Sequence, residues 1–164
     1  MGICMAIRVV YYSWKGHTEK VATALAKLLD AELVQIEPVS DGGVAGKAMK
    51  AFFGLKSPIK PTKTDLTGVD TLIIASPVWA GKVPAYVNKY LDSVTGANGK
   101  PFHVVIEMGG RGDKTAIAII RKSLEQRGMK FVSSVSTVEK DVDSGLFIGT
   151  IEKFAAGIRK QKTK

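Results

Sequence analysis

Ile7-Arg8-Val9-Val10-Tyr11-Tyr12 runs directly into Ser13-Trp14-Lys15-Gly16-His17-Thr18, a largely apolar stretch followed by hydroxyls, a glycine and basic side chains. The first part is β-branched and aromatic, the composition of a buried strand. Beyond the second part Val21, Ala24, Leu25 and Leu28 repeat at helical spacing. A strand that becomes a helix through such a loop sits, in an open parallel sheet, where backbone amides at the carboxyl edge meet a ligand. Ser13 and Thr18 supply hydroxyls, Gly16 lets the chain turn tightly, and the first amides of the helix present their positive dipole end to an anion. The loop is suited to a phosphate. A second loop, Ser76-Pro77-Val78-Trp79-Ala80-Gly81-Lys82, follows another apolar run and offers a flat indole. A phosphate cradle facing an aromatic wall reads as a site for a mononucleotide with a planar ring system, although a tryptophan in this position also admits a plain packing role.

Working outward, apolar runs at 7–12, 32–37, 71–75, 102–107 and 130–137 alternate with helical patterns at 16–29, 84–94, 114–127 and 144–160. Ile117, Ile120 and Leu124 make the apolar face of the third helix. Strict alternation of strand and helix implies βαβ crossovers, hence an α/β three-layer sandwich in which a five-stranded parallel sheet is covered on both faces. The crossover between 38 and 70 is irregular, rich in glycine and proline, with 47–53 as its helix. Phe52, Phe53 and Leu55 either pack that helix on the sheet or belong to a basic, partly apolar flap beside the ligand.

The chain has 164 residues, 45% of them hydrophobic, enough for one core, and a single domain over 1–164 is expected. One cysteine, Cys4, excludes an internal disulfide and a cysteine-rich metal site. No stretch has the length of a membrane span and the first residues do not read as a signal peptide, so a cytoplasmic protein is expected. Net charge is +9, from 24 Lys and Arg against 15 Asp and Glu. Residues 42–64 hold no acid but carry Lys47, Lys50, Lys56, Lys60 and Lys63, and the tail adds Lys153, Arg159, Lys160, Lys162 and Lys164. Such a field is either a solvated surface or a steering surface for acidic partners, and charge alone does not choose.

Over essentially its whole length the chain resembles the flavodoxins and flavodoxin-like FMN proteins. The family's phosphate loop, hydroxyls around a glycine, is matched by Ser13, Gly16 and Thr18, with Lys15 and His17 where the family commonly has threonine and asparagine. Its second loop is matched by Pro77, Val78, Trp79, Ala80 and Gly81. The third is matched more loosely by Glu107-Met108-Gly109-Gly110-Arg111-Gly112-Asp113, without the tyrosine that often covers the other flavin face. The resemblance implies a sheet order of 2-1-3-4-5, with the three loops at one carboxyl edge around the switch point. It also implies noncovalent FMN, held by Ser13, Trp14, Lys15, Gly16, His17 and Thr18, by Pro77, Val78, Trp79, Ala80, Gly81 and Lys82, and by Met108, Gly109, Gly110, Gly112 and Asp113. The role it implies first is an electron carrier docking to an acidic redox protein; the alternatives are an enzyme reducing a quinone or similar acceptor with NAD(P)H, and a non-redox module that kept the fold. Specific nucleic-acid binding is not expected. Lys15, Lys82 and Arg111, in or beside the loops, should make two-electron reduction easier than in acidic relatives.

His103 opens a strand and reads as structural as readily as chemical, whereas His17 starts a helix, where the dipole opposes positive charge. No Ser/His/Asp set is present. Along the chain the acids do not cluster with His or Cys at metal spacing, so no metal site is expected. Glu107 and Asp113 are candidate hydrogen-bond acceptors.

Overall fold

The computed structural model describes residues 5–39 and 56–161. Strands β1 (Ile7–Tyr11), β2 (Glu32–Gln35), β3 (Thr71–Pro77), β4 (Pro101–Met108) and β5 (Lys130–Val138) form one sheet in the order β2-β1-β3-β4-β5, every pair parallel. The helices are α1 (His17–Leu29), α2 (Ala85–Ser93), α3 (Asp113–Glu125), α4 (Glu139–Ser144) and α5 (Phe147–Gln161). The expected class and order are those observed.

Period-2 alternation sorts each strand between two cores. On one face Val9, Tyr11, Ile73, Ala75 and Val105 pack with Val21, Leu25 and Ala26 of α1 and Ile151, Ala155 and Ile158 of α5. On the other, Val10, Leu72, Ile74, Val104 and Ile106 meet Tyr86, Val87, Tyr90 and Leu91 of α2 and Ala116, Ile120 and Leu124 of α3. β3, at the centre, is buried at all seven positions, as a strand covered on both faces must be. Because all five strands run the same way, their carboxyl ends share one edge, and the loops after β1, β3, β4 and β5 converge there.

The chain departs from the expected helix at 144–160. Ser144 instead closes the short α4, Gly145 caps it at φ 81°, and α5 begins at Phe147. An apolar stripe cannot reveal α4, six residues long with Val142 as its buried residue. The expected helix at 47–53, with Phe52, Phe53 and Leu55, lies outside the described residues, as do Cys4, Lys162 and Lys164. Of the acid-free stretch, the described lysines are ion-paired: Lys56 Nζ with Asp92 at 2.8 Å, Lys60 Nζ with Glu37 at 2.6 Å, and Lys63 with Glu32. These pairs reduce the local field that the composition places there.

His103 is structural. It is buried on β4, its Nδ1 lies 2.8 Å from Ser133 Oγ, and its ring meets Phe154 edge-on. Burial disfavours the imidazolium and lowers its pKa from 6.5 to about 4. The unfolded chain therefore takes up this proton first as pH falls, so the contribution is intact above pH 6.5 and lost between 6.5 and about 4. From pH 7 to pH 5 the loss is about 2 kcal/mol. Urea unfolding at both pH values should show the wild type losing that much more stability than His103→Gln; parallel losses would contradict it.

Candidate functional site

β1 releases the chain at Tyr12, whose amide still donates to Ala75 O at 3.3 Å. The loop then folds on itself: the Gly16 amide donates to Ser13 Oγ at 3.1 Å, and Gly16 takes φ 90° as the N-cap of α1. No side chain caps α1. A helix of this length has first-turn amides without intrahelical partners, and a glycine N-cap leaves them for an anion where Ser, Thr, Asp or Asn would have satisfied one.

The second loop is a tight turn. Trp79 and Lys82 exchange both backbone hydrogen bonds, at 2.9 and 2.8 Å, and the two residues between them have positive φ, Ala80 at 48° and Gly81 at 73°. Two positive φ values define a primed turn, in which Ala80 carries strain that Gly81 does not. The turn sets Trp79 edge-to-face against Tyr12 and Trp14, with ring centroids 5.4 and 5.9 Å away. Trp79 is half-buried and Trp14 is 42% exposed at the rim. Lys15 Nζ lies 5.3 Å from the Trp14 ring centroid, a cation–π contact.

The third loop closes on the second. Gly112, at φ 102°, approaches so closely that a Cβ there would stand 2.8 Å from Val78 Cγ1 and 3.1 Å from Gly81 Cα. Gly112→Ala should cost about 1–3 kcal/mol in urea unfolding through strain and overpacking. Gly110→Ala, which meets nothing within 4 Å, should be nearly silent. Equal midpoints for the two variants would refute the clamp.

Between these loops lies an open cleft of about 140 Å³. Its lining includes Ser13, Trp14, Lys15, His17, Thr18, Pro77, Val78, Trp79, Met108 and Gly109 of the expected set, together with Glu107 and Glu139. Gly16, Ala80, Gly81, Lys82, Gly110 and Gly112 belong to the turns that shape the cleft and do not line it. Arg111 is exposed beyond it. Asp113 is drawn away from the lining: in the first turn of α3, its Oδ2 accepts from Ser136 Oγ at 3.0 Å.

The acids need a correction. Far apart in sequence, His17, Glu107 and Glu139 come together in space with potential donor atoms all within 4.8 Å of one another. Asp143 joins them, its Oδ1 3.0 Å from His17 Nε2. Glu107 is 4% exposed, accepts from Thr18 Oγ1 at 3.4 Å through Oε2, and finds no partner for Oε1 among the described residues. Burial raises its pKa, with the nearby Glu139 carboxylate adding to the effect. The expected cationic surroundings of the cleft are thus offset by carboxyls. Glu139 and Asp143 escaped the sequence reading because their link to the first loop exists only through the adjacency of α1 and α4.

A family model described as NADPH-dependent FMN reductase matches residues 5–143. No curated protein matches the chain. Among solved structures, a flavoprotein from Lactobacillus acidophilus NCFM in complex with FMN is similar at TM-score 0.70 and 20% identity, covering 85% of this chain and 97% of that one. Oxidised Flavodoxin 2 from Bacillus cereus is similar at 0.65 and 20%, covering 95% and 99%. The flavodoxin, WrbA-like protein from Agrobacterium tumefaciens is similar at 0.60 and 17%, covering 93% and 98%. At such identities these structures carry the fold, and the family rests on the sequence model.

Proposed function

Because the chain belongs to the NADPH-dependent FMN reductase family, whose cofactor is FMN, we propose that it is an oxidoreductase holding one FMN in the cleft and reducing it with a nicotinamide. The residues fit the group. The uncapped start of α1, Ser13, Lys15 and the Thr18 hydroxyl suit the phosphate, and Trp79 and Trp14 suit the ring. When bound, FMN supplies the redox chemistry, taking a hydride from the nicotinamide and giving electrons to an acceptor.

The protein's own part is binding and shielding. The first loop anchors the phosphate by backbone amides and hydroxyls. The primed turn fixes Trp79, whose ring would exclude water from one side of a bound flavin. What supports an enzyme over a carrier is the third loop: Met108, Gly109, Gly110, Arg111 and Gly112 include no aromatic residue, so this loop brings no ring to cover the flavin face away from Trp79. Glycines there also let backbone amides approach the flavin edge. A carrier would instead need only an exposed edge, and it remains the second reading on the strength of the fold shared with flavodoxins.

Anaerobic mixing of the FMN-loaded protein with NADPH tests the choice. Bleaching of the flavin band within one turnover is expected. If dithionite bleaches the protein and neither NADPH nor NADH does, the carrier reading replaces this one.

A further inference from the structure

Three donors from three separate elements meet in one wall of the cleft. They are a ring nitrogen of His17 at the start of α1, a carboxylate oxygen of Glu107 near the end of β4 and one of Glu139 at the start of α4. Acids gathered near a surface say nothing by themselves about a ligand, but Glu107 is not at the surface. It is 4% exposed, lines the cleft, and its Oε1 has no hydrogen-bond partner among the described residues. A buried acceptor left unpaired costs about 1–3 kcal/mol, and more if charged. Thr18 serves the other oxygen, at a long 3.4 Å. Lys15, the lysine of the loop, lies over Trp14.

From this arrangement we infer a divalent-cation site formed by His17, Glu107 and Glu139, with its remaining coordination positions open to the cleft. Asp143, 3.0 Å from His17 Nε2, is a positioning residue: metal-bound histidines are commonly held by an outer carboxylate at the second ring nitrogen. One imidazole and two carboxylates make a mixed nitrogen and oxygen set, which suits Mn²⁺ or Zn²⁺ better than the all-oxygen shells of Ca²⁺ and Mg²⁺. Donors bound to one such ion at about 2.0–2.2 Å stand roughly 3–4 Å apart. The present spacing, all three within 4.8 Å, is close to that range. The ion also offsets the charge that Glu107 and Glu139 bring to one wall of the cleft. The site goes beyond the reductase reading and does not depend on it.

Mn²⁺ titrated into the full chain, with and without FMN, and followed by the EPR signal of the free ion, provides the test. Uptake of one Mn²⁺ per chain, competed by Zn²⁺, is expected, and uptake by the flavin-free chain suffices, so failure of FMN binding leaves the result readable. Glu139→Gln and His17→Ala, both substitutions of partly exposed residues, should each weaken uptake at least tenfold, and Asp143→Asn by a smaller factor. Glu152→Gln, on the exposed side of α5, should bind as the wild type. Circular dichroism establishes that each variant is folded. No stoichiometric uptake of Mn²⁺ or Zn²⁺ at millimolar concentrations, or unchanged uptake in Glu139→Gln or His17→Ala, overturns the site.

Discussion

Titrated against the two flavins, the protein should bind FMN at least a hundredfold more tightly than riboflavin. The two ligands differ by the phosphate alone, so the ratio isolates what the first loop contributes. An anion at an uncapped helix start gains up to about 2 kcal/mol from the dipole in partly buried geometry. Each hydrogen bond to a charged group adds about 1.5–3 kcal/mol. Gly16 as N-cap and the Ser13 turn leave the first amides of α1 for such bonds. Against them stand Glu107 and Glu139 in the same cleft, which is why the expectation sits near the lower end of that sum. A hundredfold corresponds to about 2.8 kcal/mol. FAD should bind more weakly than FMN, because the uncapped start of α1 suits a terminal phosphate monoester, which in FAD is joined to the adenylate. Equal affinities for FMN and riboflavin, measured by flavin fluorescence, would remove the phosphate from the first loop.

Trp79→Ala should weaken FMN by about 1–3 kcal/mol, roughly 5–150-fold, if stacking of a planar ring on an aromatic side chain is a fair guide. The same change should restore flavin fluorescence that the indole quenches. Trp79 also packs edge-to-face on Tyr12, so some loss of stability is expected with it. Trp79→Phe separates the two effects, since it retains an aromatic face while shrinking the packed area. Its affinity should fall between those of the wild type and the alanine variant. Should Trp79→Ala lower the urea midpoint while affinity and fluorescence stay where they were, the indole is a core residue and the ring lies elsewhere.

The architecture was legible in the sequence because its signals are local and repeated. Apolar β-branched runs alternating with helical stripes leave little freedom but a parallel sheet with helices on both faces, and the three glycine-bearing loops follow strands one, three and four in plain view. The loops could be named as a site for the same reason: in a parallel sheet every strand delivers its following loop to one edge. Trp79 was visible as an aromatic beside Ala80 and Gly81, although the primed turn that aims it requires a positive φ at Ala80, which no composition announces.

What only the tertiary structure decided is the company each residue keeps. Gly112 looked like one glycine among three in its loop, and packing against Val78 and Gly81 singles it out. Glu107 looked like a hydrogen-bond acceptor at a strand end, and it is a buried carboxyl with one oxygen unpaired among the described residues. His17, Glu107 and Glu139 are separated by 90 and 32 positions in the chain, from 17 to 107 and from 107 to 139, and α4 is too short and too polar to betray itself by periodicity. Hydrophobic patterning determines which face of an element is buried. It carries no information about which polar side chains two buried faces bring together, because that depends on the register of helices and strands distant in sequence, set by packing alone.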